Sequence, residues 1–279
     1  MNWSIVTDSS CDVENGLSTA AIPVSKVPFT ISIGKKDYVD DENIDTAELI
    51  KDMSDSPEAS KTACPAPGAW YDCFLKADNV IAITISSKLS GSYQSALAAK
   101  EMILEDFPYK NIHVLDSQSA GPGLNMLVRK AKEYIEKNLS FETITECIEK
   151  QVKEIRTIFV LNSFDNLVKS GRIGRLTGFI AGKIRMSGIG FGDNGVIAVK
   201  QKVIGTHRVI KGLIDDLIEN GYKEGEIIIS HCHNLELAEN MAKVIKGRWD
   251  SAKITILKTG GLCSYYAENK GLIMCYDLK

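Results

Sequence analysis

The stretch NVIAITISSKLSGSYQSA, residues 79–96, decides the fold, because a strand, a loop and the start of a helix follow each other in it. Val80–Ile85 is an unbroken apolar run, which is typical of a strand covered on both faces, as in a parallel sheet. Ser86–Ser92 predicts a loop, and Tyr93–Asp106 predicts a helix with Ala and Leu on its buried side. The stretch therefore predicts one strand–loop–helix unit of an α/β protein.

Similar units lie on both sides of this one. Trp3–Val6 predicts a strand that breaks at Thr7-Asp8-Ser9-Ser10. Asn111–Leu115 predicts another strand, followed by a loop over Asp116–Gly123 and a helix over Leu124–Asn138. Repeated units of this kind place their strands parallel, with right-handed crossovers. We therefore expect a mostly parallel, Rossmann-like N-terminal sheet with flanking helices.

Two segments interrupt the repeat. Ile22–Ile33 is rich in β-branched residues and contains two prolines, which predicts edge strands. Lys61–Gly68 predicts a rigid loop before a helix that begins at Ala69.

The sequence after Arg156 has a different pattern. Gly192-Asp193-Asn194-Gly195 between two apolar segments is a strong signal for an antiparallel hairpin. We therefore predict two domains, residues 1–156 and residues 157–279, the second an α/β domain with a mixed or antiparallel sheet. The spacing Gly190-x-Gly192-x-x-Gly195 matches a dinucleotide fingerprint in letters alone, because it crosses this hairpin instead of joining a strand to a helix.

Composition sets broad limits on function. The 279 residues are 44% hydrophobic and 25% charged, which excludes a disordered, collagen-like or coiled-coil chain. A net charge of -3 offers no general attraction for nucleic acid or for an anionic membrane. No apolar run reaches the roughly 18 residues of a membrane span, and the N-terminus does not resemble a secretory signal. Seven widely spaced cysteines suggest reduced thiols, so we expect a cytoplasmic protein.

Hydroxyl-rich loops follow three of the predicted strands, and Thr62 heads a fourth. Loops at the carboxyl ends of parallel strands meet where ligands bind. The loop over Ser86–Ser92 opens a helix, whose free N–H groups favour an anion. The three loops that follow strands contain one cation, Lys88, and no phosphate-binding loop motif, which favours a single negative charge such as a carboxylate. Alternatively, these serines only cap helices and form turns.

Five ordered motifs make the chain resemble a known family. They are Thr7-Asp8-Ser9-Ser10, Lys61-Thr62 with Pro65 and Gly68, Ile85 to Ala96, Val114 to Ser117, and Ser170-Gly171-Arg172-Ile173. Together they resemble the DegV family of bacterial lipid-binding proteins. The resemblance implies two α/β domains that bind one long-chain fatty acid between them. It also implies a protein that does no chemistry itself but can present the fatty acid to a separate fatty acid kinase subunit.

The resemblance assigns roles to individual residues. Thr62 becomes a hydrogen-bond donor to the carboxylate, and Ser90, Gly91 and Ser92 become the anion site at the helix start. Arg172 lies where the family keeps an arginine near the ligand head; its alternative is a salt bridge to an acid across the domain interface.

The remaining candidates come from the loops and from apolar segments. Ser9 and Ser119 are candidate head-group neighbours. Phe29, Ile31, Ile33 and the glycine-rich stretch Phe179 to Phe191 are candidate linings for the acyl chain, with ordinary core packing as the alternative.

Two departures from the family pattern concern the kinase partner. The stretch Lys258 to Tyr266 lacks the histidine that the family usually carries there, and Lys202 to His207 lacks its usual arginine. Both fall near the head-group side, so fatty-acid binding is better supported than the kinase partnership. Lys258 is a candidate replacement cation.

Two other hypotheses stay open at this stage. A serine- or cysteine-dependent acyl hydrolase or a phosphotransfer subunit would use Ser90, Cys11 or Cys64 with a nearby base, although no nucleophile-elbow motif is present. A scaffold protein with an incidental crevice is another hypothesis. His231 and His233 suggest a metal, but no further ligands are identifiable, so we predict no metal and no cofactor.

Overall fold

The computed structural model describes residues 2–13, 16–57, 60–173 and 186–278. In chain order the elements are β1 (Trp3–Asp8), β2 (Val24–Val27), β3 (Thr30–Ile33), β4 (Lys36–Val39), α1 (Thr46–Asp55), β5 (Ser60–Ala63), α2 (Pro67–Phe74), β6 (Asn79–Thr84), α3 (Ser92–Asp106), β7 (Asn111–Asp116), α4 (Pro122–Glu136), α5 (Phe141–Val152), β8 (Ile155–Leu161), α6 (Asp165–Lys169), β9 (Met186–Asp193), β10 (Val196–Ile204), α7 (Thr206–Glu219), β11 (Glu226–His231), α8 (Leu235–Arg248), β12 (Lys253–Lys258), α9 (Gly261–Ala267) and β13 (Leu272–Asp277).

The N-terminal sheet has the strand order β2-β1-β6-β7, and every pair in it is parallel. Successive side chains of β6 point to opposite faces. Ile81 and Ile83 pack with residues of α4 and α5, whereas Val80 and Ala82 pack with residues of α2 and α3. Helices therefore cover both faces of the sheet, which confirms the predicted fold class and explains the unbroken apolar run.

The second large sheet is mixed. Its order is β10-β9-β8-β13-β11-β12, with β11 and β12 parallel and the other neighbours antiparallel. The predicted hairpin is confirmed, because β9 and β10 pair across Asn194 and Gly195, both of which have positive φ. Helices α7 and α8 pack on one face of this sheet.

Helix α4 joins the two large sheets. Its Leu124 and Leu127 pack in the core of the N-terminal sheet, whereas its Met126 contacts Ile228 and Cys275 of the mixed sheet. The predicted boundary at residue 156 falls in β8, one residue after this strand begins. The division of the chain into two domains stays a prediction.

A small antiparallel sheet with the order β4-β3-β5 corrects two expectations. Ser60–Ala63 is a strand, and not the start of a loop, because it pairs with β3 along its whole length. The edge-strand prediction holds for β2, which flanks the N-terminal sheet, and is wrong for β3, which is central in the small sheet. Among the described residues, none of the helices has the length and apolar composition that a membrane crossing requires.

Candidate functional site

The three hydroxyl-rich loops meet at the carboxyl edge of the N-terminal sheet, as predicted. Asp8 at the end of β1 is fully buried there. Its carboxylate accepts hydrogen bonds from the Ser10 backbone N–H (3.2 Å), the Ser10 hydroxyl (2.5 Å), the Ile85 N–H (2.9 Å) and the Ser92 hydroxyl (2.7 Å). Burial raises the pKa of Asp8, and these hydrogen bonds oppose that shift. We call Asp8, Ser10, Ile85 and Ser92 the Asp8 cluster.

An apolar cavity lies between this loop edge and the mixed sheet. Its described lining consists of Ser10, Phe29, Thr62, Ile85, Leu89, Ser90, Gln118, Ser119, Ala120, Thr157, Phe159, Leu161, Leu167, Arg172, Gly192, Gly195, Val196, Ile197, Leu262, Cys263, Tyr266, Ala267 and Ile273. Nearly all of the surface that these residues offer to the cavity belongs to carbon atoms. The Ser86 hydroxyl donates to the Gly195 carbonyl (2.6 Å), which ties the central loop to the hairpin beside the cavity.

A polar cluster occupies one part of the lining. The Thr62 hydroxyl is hydrogen-bonded to the Tyr266 hydroxyl (Oγ1–OH 3.0 Å). The Arg172 guanidinium lies 6.0 Å from the centre of the Tyr266 ring, and its Nε donates to the carbonyl of Leu89 (3.1 Å), the residue before Ser90. We call Thr62, Ser90, Arg172 and Tyr266 the mouth cluster, because all four line the cavity and are half-buried.

Arg172 is the charged residue of the described lining. Its other described hydrogen bond goes to the Ser170 carbonyl (2.8 Å). Among the residues that the structure describes, no acid forms an ion pair with Arg172, so the alternative of a salt bridge across the interface is not found. A guanidinium beside an apolar cavity without a carboxylate partner favours an anion at this end of the cavity.

The start of α3 separates its three candidate residues. Ser90 lines the cavity, and its Oγ accepts from the Ser92 N–H (3.2 Å), so its hydroxyl proton stays available to a ligand. Ser92 is buried, and its hydroxyl donates a hydrogen bond to the Asp8 carboxylate. Gly91 is the N-cap with φ of -73°, and a Cβ there would meet Cys64 Sγ at 3.4 Å. Of the three, Ser90 therefore has the side chain best placed to contact a ligand.

The two candidate neighbours also differ. Ser9 is buried, accepts from the Phe29 N–H (3.0 Å) and is not among the described lining residues. Ser119 does line the cavity, where its hydroxyl pairs with that of Thr157 on β8 (2.7 Å).

The apolar candidates divide in the same way. Phe29 lines the cavity and packs with Ile85 and Leu262. Ile31 and Ile33 pack in a core cluster beneath α1, and neither is in the described lining, which favours the alternative of ordinary core packing. Phe179 lies outside the described residues.

Tyr266 is the main residue that the sequence analysis missed, and α9 positions it. The start of α9 is held by two buried carboxylates of the N-terminal half. Asp40 accepts from the N–H groups of Gly261 (2.7 Å) and Leu262 (2.9 Å), and Asp12 accepts from that of Gly260 (2.8 Å). Burial raises the pKa of Asp12 to about 6. The available signal was the Tyr265-Tyr266 pair within the stretch Lys258 to Tyr266.

The residues that most often act as general bases are not part of the described lining. That lining contains no histidine, lysine, aspartate or glutamate that could activate Ser90. Burial raises the pKa of the Cys11 thiol far above its ordinary value, so Cys11 carries no thiolate at neutral pH. Within residues 2–13, 16–57, 60–173 and 186–278, no group of three His, Cys, Asp or Glu side chains could hold a metal ion. Lys258 is exposed and is likewise not in the described lining.

The fold and the cavity define an α/β protein with two large sheets that enclose an apolar cavity with one cationic, hydroxyl-rich end. The chain belongs to the DegV family, since the family model described as "Uncharacterised protein, DegV family" matches residues 2–276.

Several relatives are similar over their full length. A DegV domain-containing protein of Streptococcus gordonii is 38% identical over 282 residues, and one of Streptococcus pneumoniae strain R6 is 37% identical over 281 residues. In both cases the match covers 100% of each chain.

Solved structures of the family are similar in fold as well. The Fatty Acid Kinase (Fak) B3 protein of Streptococcus pneumoniae, loaded with linoleic acid, has a TM-score of 0.96 and 36% identity, with 100% of both chains covered. A DegV family protein of Eubacterium eligens, loaded with heptadecanoic acid, has a TM-score of 0.95 and 31% identity, covering 99% of this chain and 100% of that one.

Proposed function

We propose that this protein binds one long-chain fatty acid, with the carboxylate at the mouth cluster and the acyl chain in the cavity. The observation that carries the proposal is an apolar cavity with a cationic, hydroxyl-bearing end. Arg172 is the charged side chain in the described lining, which contains no carboxylate to pair with it, and Thr62 and Ser90 line the same cavity. The proposal extends to a binding role without catalysis, because the described lining offers no histidine, lysine or carboxylate to act as a general base.

The polar end of the cavity matches one carboxylate. Hydroxyl donors and a guanidinium form charge-assisted hydrogen bonds to a carboxylate, each stronger than a bond between neutral groups. Thr62 and Ser90 provide hydroxyls, and Arg172 provides the compensating charge. Ser92 supports the site indirectly, since its hydroxyl holds α3 to Asp8.

The apolar part of the cavity supplies the affinity. Burying about fourteen methylenes at roughly 0.8 kcal/mol each contributes on the order of 11 kcal/mol. Association and ordering of the chain cost about half of this or more. The tail therefore determines how tightly the ligand binds, and the head group determines its orientation.

The similar structures support this assignment. Fak B3 of Streptococcus pneumoniae and the Eubacterium eligens protein each carry a long-chain fatty acid, and each is more than 30% identical to this chain over nearly its whole length.

We propose further that the bound fatty acid is presented to a separate fatty acid kinase subunit. The similarity to Fak B3 supports this step. The missing family histidine and arginine weigh against it, and Lys258 is not placed to replace the histidine in the cavity. Incubation of the palmitate-loaded protein with a fatty acid kinase catalytic subunit and ATP should yield palmitoyl phosphate; no product would contradict the partnership but not the binding.

Mass spectrometry of the gently purified protein tests the binding function. We expect a co-purifying fatty acid, and we expect added palmitate to bind after the protein has been delipidated. Ser87→Ala serves as the control for variants of the mouth cluster and should bind palmitate like wild type. Ser87 lies in the same loop as Ser90, but its hydroxyl donates to Asp116 and it is not in the described lining. No lipid in the native protein together with no palmitate binding would overturn the proposal.

A further inference from the structure

Two hydroxyl pairs join β5 to α9. The Ser60 hydroxyl is hydrogen-bonded to that of Tyr265 (2.8 Å), and the Thr62 hydroxyl to that of Tyr266 (3.0 Å). Ser60 and Thr62 are two residues apart on one strand, so both point toward α9. Thr62 and Tyr266 line the cavity, whereas Ser60 and Tyr265 are not among its described lining residues. The two pairs are chemically alike and differ in their access to the cavity.

We infer that Tyr266 is a specificity residue of the head-group site. In this inference, which rests on the proposed function, the phenol of Tyr266 and the hydroxyl of Thr62 each donate to the carboxylate, and the two together select an ionised acid over an uncharged lipid head.

The count of protons supports a two-donor site. Each hydroxyl has one proton, and a hydrogen bond between Thr62 and Tyr266 uses only one of the two. The other proton has no described partner, and both hydroxyls belong to residues of the cavity lining. An ionised carboxylate only accepts hydrogen bonds and has two oxygens. It can therefore accept one hydrogen bond through the free proton and, by replacing the Thr62–Tyr266 bond, a second one through the other proton. An alcohol head carries no charge, and its hydrogen bonds with the pair are weaker.

The surroundings hold the Tyr266 ring in place. The Tyr265 ring packs against it at 4.8 Å with an interplanar angle of 90°. The Arg172 guanidinium, which also lines the cavity, lies 6.0 Å from the ring centre. Asp12 and Asp40 anchor the start of the helix. A donor whose position is fixed by packing loses little freedom when it binds a ligand.

Tyr266→Phe and its matched control, Tyr265→Phe, test the inference. Each variant removes the tyrosine hydroxyl from one of the two similar hydroxyl pairs and keeps the aromatic ring. Dissociation constants are measured for palmitate and for 1-hexadecanol, which has the same chain length and no charge. We expect Tyr266→Phe to weaken palmitate binding about tenfold while hexadecanol changes less than about twofold. We expect Tyr265→Phe to leave both affinities within about twofold of wild type.

Several outcomes would overturn the inference. A Tyr266→Phe protein that binds palmitate as tightly as wild type excludes a head-group bond from Tyr266. Equal losses for palmitate and hexadecanol, or an equal loss in Tyr265→Phe, would show a packing effect without head-group specificity. If wild type binds palmitate and only the inference fails, the proposed function survives; if wild type binds no palmitate, the proposed function fails first.

A measurement on the wild-type protein covers the case in which Tyr266→Phe does not fold. In an NMR experiment with tyrosine labelled at its Cζ carbon, the chemical shift of Tyr266 should change when palmitate is added. The change on addition of hexadecanol should be much smaller. A Tyr266 resonance that palmitate does not move would contradict the inference.

Discussion

The Asp8 cluster and the mouth cluster contain the same kind of hydroxyl groups but differ in which group accepts their hydrogen bonds. In the Asp8 cluster, Ser10 and Ser92 donate to a buried carboxylate of the protein itself. In the mouth cluster, Thr62 and Ser90 face a cavity beside a guanidinium that has no described acid partner. Ser90 and Ser92 are neighbours in one motif, so a motif alone does not distinguish a ligand contact from a structural hydrogen bond.

The largest difference between the clusters should appear in stability. Asp8→Ala removes the acceptor of four hydrogen bonds and leaves those donors buried. We expect a loss of about 3–5 kcal/mol in the free energy of unfolding, measured by urea denaturation. Asp116→Ala is the control at the end of the neighbouring strand: that carboxylate is only half-buried, so its loss should be smaller. A loss below about 1 kcal/mol for Asp8→Ala would contradict the structural role.

Asp12, which holds the start of α9, should make the free energy of unfolding depend on pH. Burial raises the pKa of Asp12 to about 6, above its ordinary value of about 3.9 in an unfolded chain. The folded protein then binds the proton more tightly, so the contribution of Asp12 is fully present below about pH 4 and is lost as the pH rises to about 6. We expect this contribution to reach about 2–3 kcal/mol.

Urea denaturation of wild type and Asp12→Asn from pH 4 to pH 7 measures that contribution as the difference between the two curves. Asn cannot titrate, so the difference should change between pH 4 and 6 and be constant above about pH 6.5. A difference that is independent of pH would show that Asp12 does not titrate in this range.

In the mouth cluster, the effect should appear in binding. Thr62→Ala removes a hydroxyl from the cavity, and we expect palmitate affinity to fall by about 1–3 kcal/mol, the usual effect of losing a hydrogen bond to a charge. Isothermal titration calorimetry measures the change, with Ser87→Ala as the control. Unchanged affinity would show that Thr62 does not contact the head group.

The smallest expected effect is that of Ser92→Ala. It tests the difference between the Asp8 cluster and the mouth cluster within one loop, because Ser92 is two positions from Ser90. Ser92→Ala removes one of the four donors to Asp8, and we expect the protein to lose about 1 kcal/mol of stability. Palmitate affinity should stay within about twofold of wild type. A loss of affinity as large as that of Thr62→Ala would place Ser92 in the head-group site after all.

Local patterns predicted most of the fold. The apolar run over Val80–Ile85 and the turn around Asn194-Gly195 each carry their signal within a few residues, and both predictions are confirmed. The strand Ser60–Ala63 was missed because its formation depends on pairing with β3, about thirty residues earlier in the chain.

The candidate site was harder to predict for the same reason. The convergence of the loops followed from the parallel sheet. Whether a hydroxyl faces the cavity depends on contacts distant in sequence, such as Ser92 with Asp8 and Thr62 with Tyr266, 84 and 204 residues apart. Ile31 shows the converse, since its apolar character fits either a cavity lining or a packed core, and it lies in the core.

The most direct test of the central claim is a crystal structure of the protein with 16-bromohexadecanoic acid, in which anomalous scattering locates the bromine. We expect the bromine inside the cavity, among its apolar lining residues, and the carboxylate within hydrogen-bond distance of Thr62 Oγ1 and near Arg172. A bromine beside Thr62, with the carboxylate at the opposite end, or a ligand bound outside the cavity, would contradict the account.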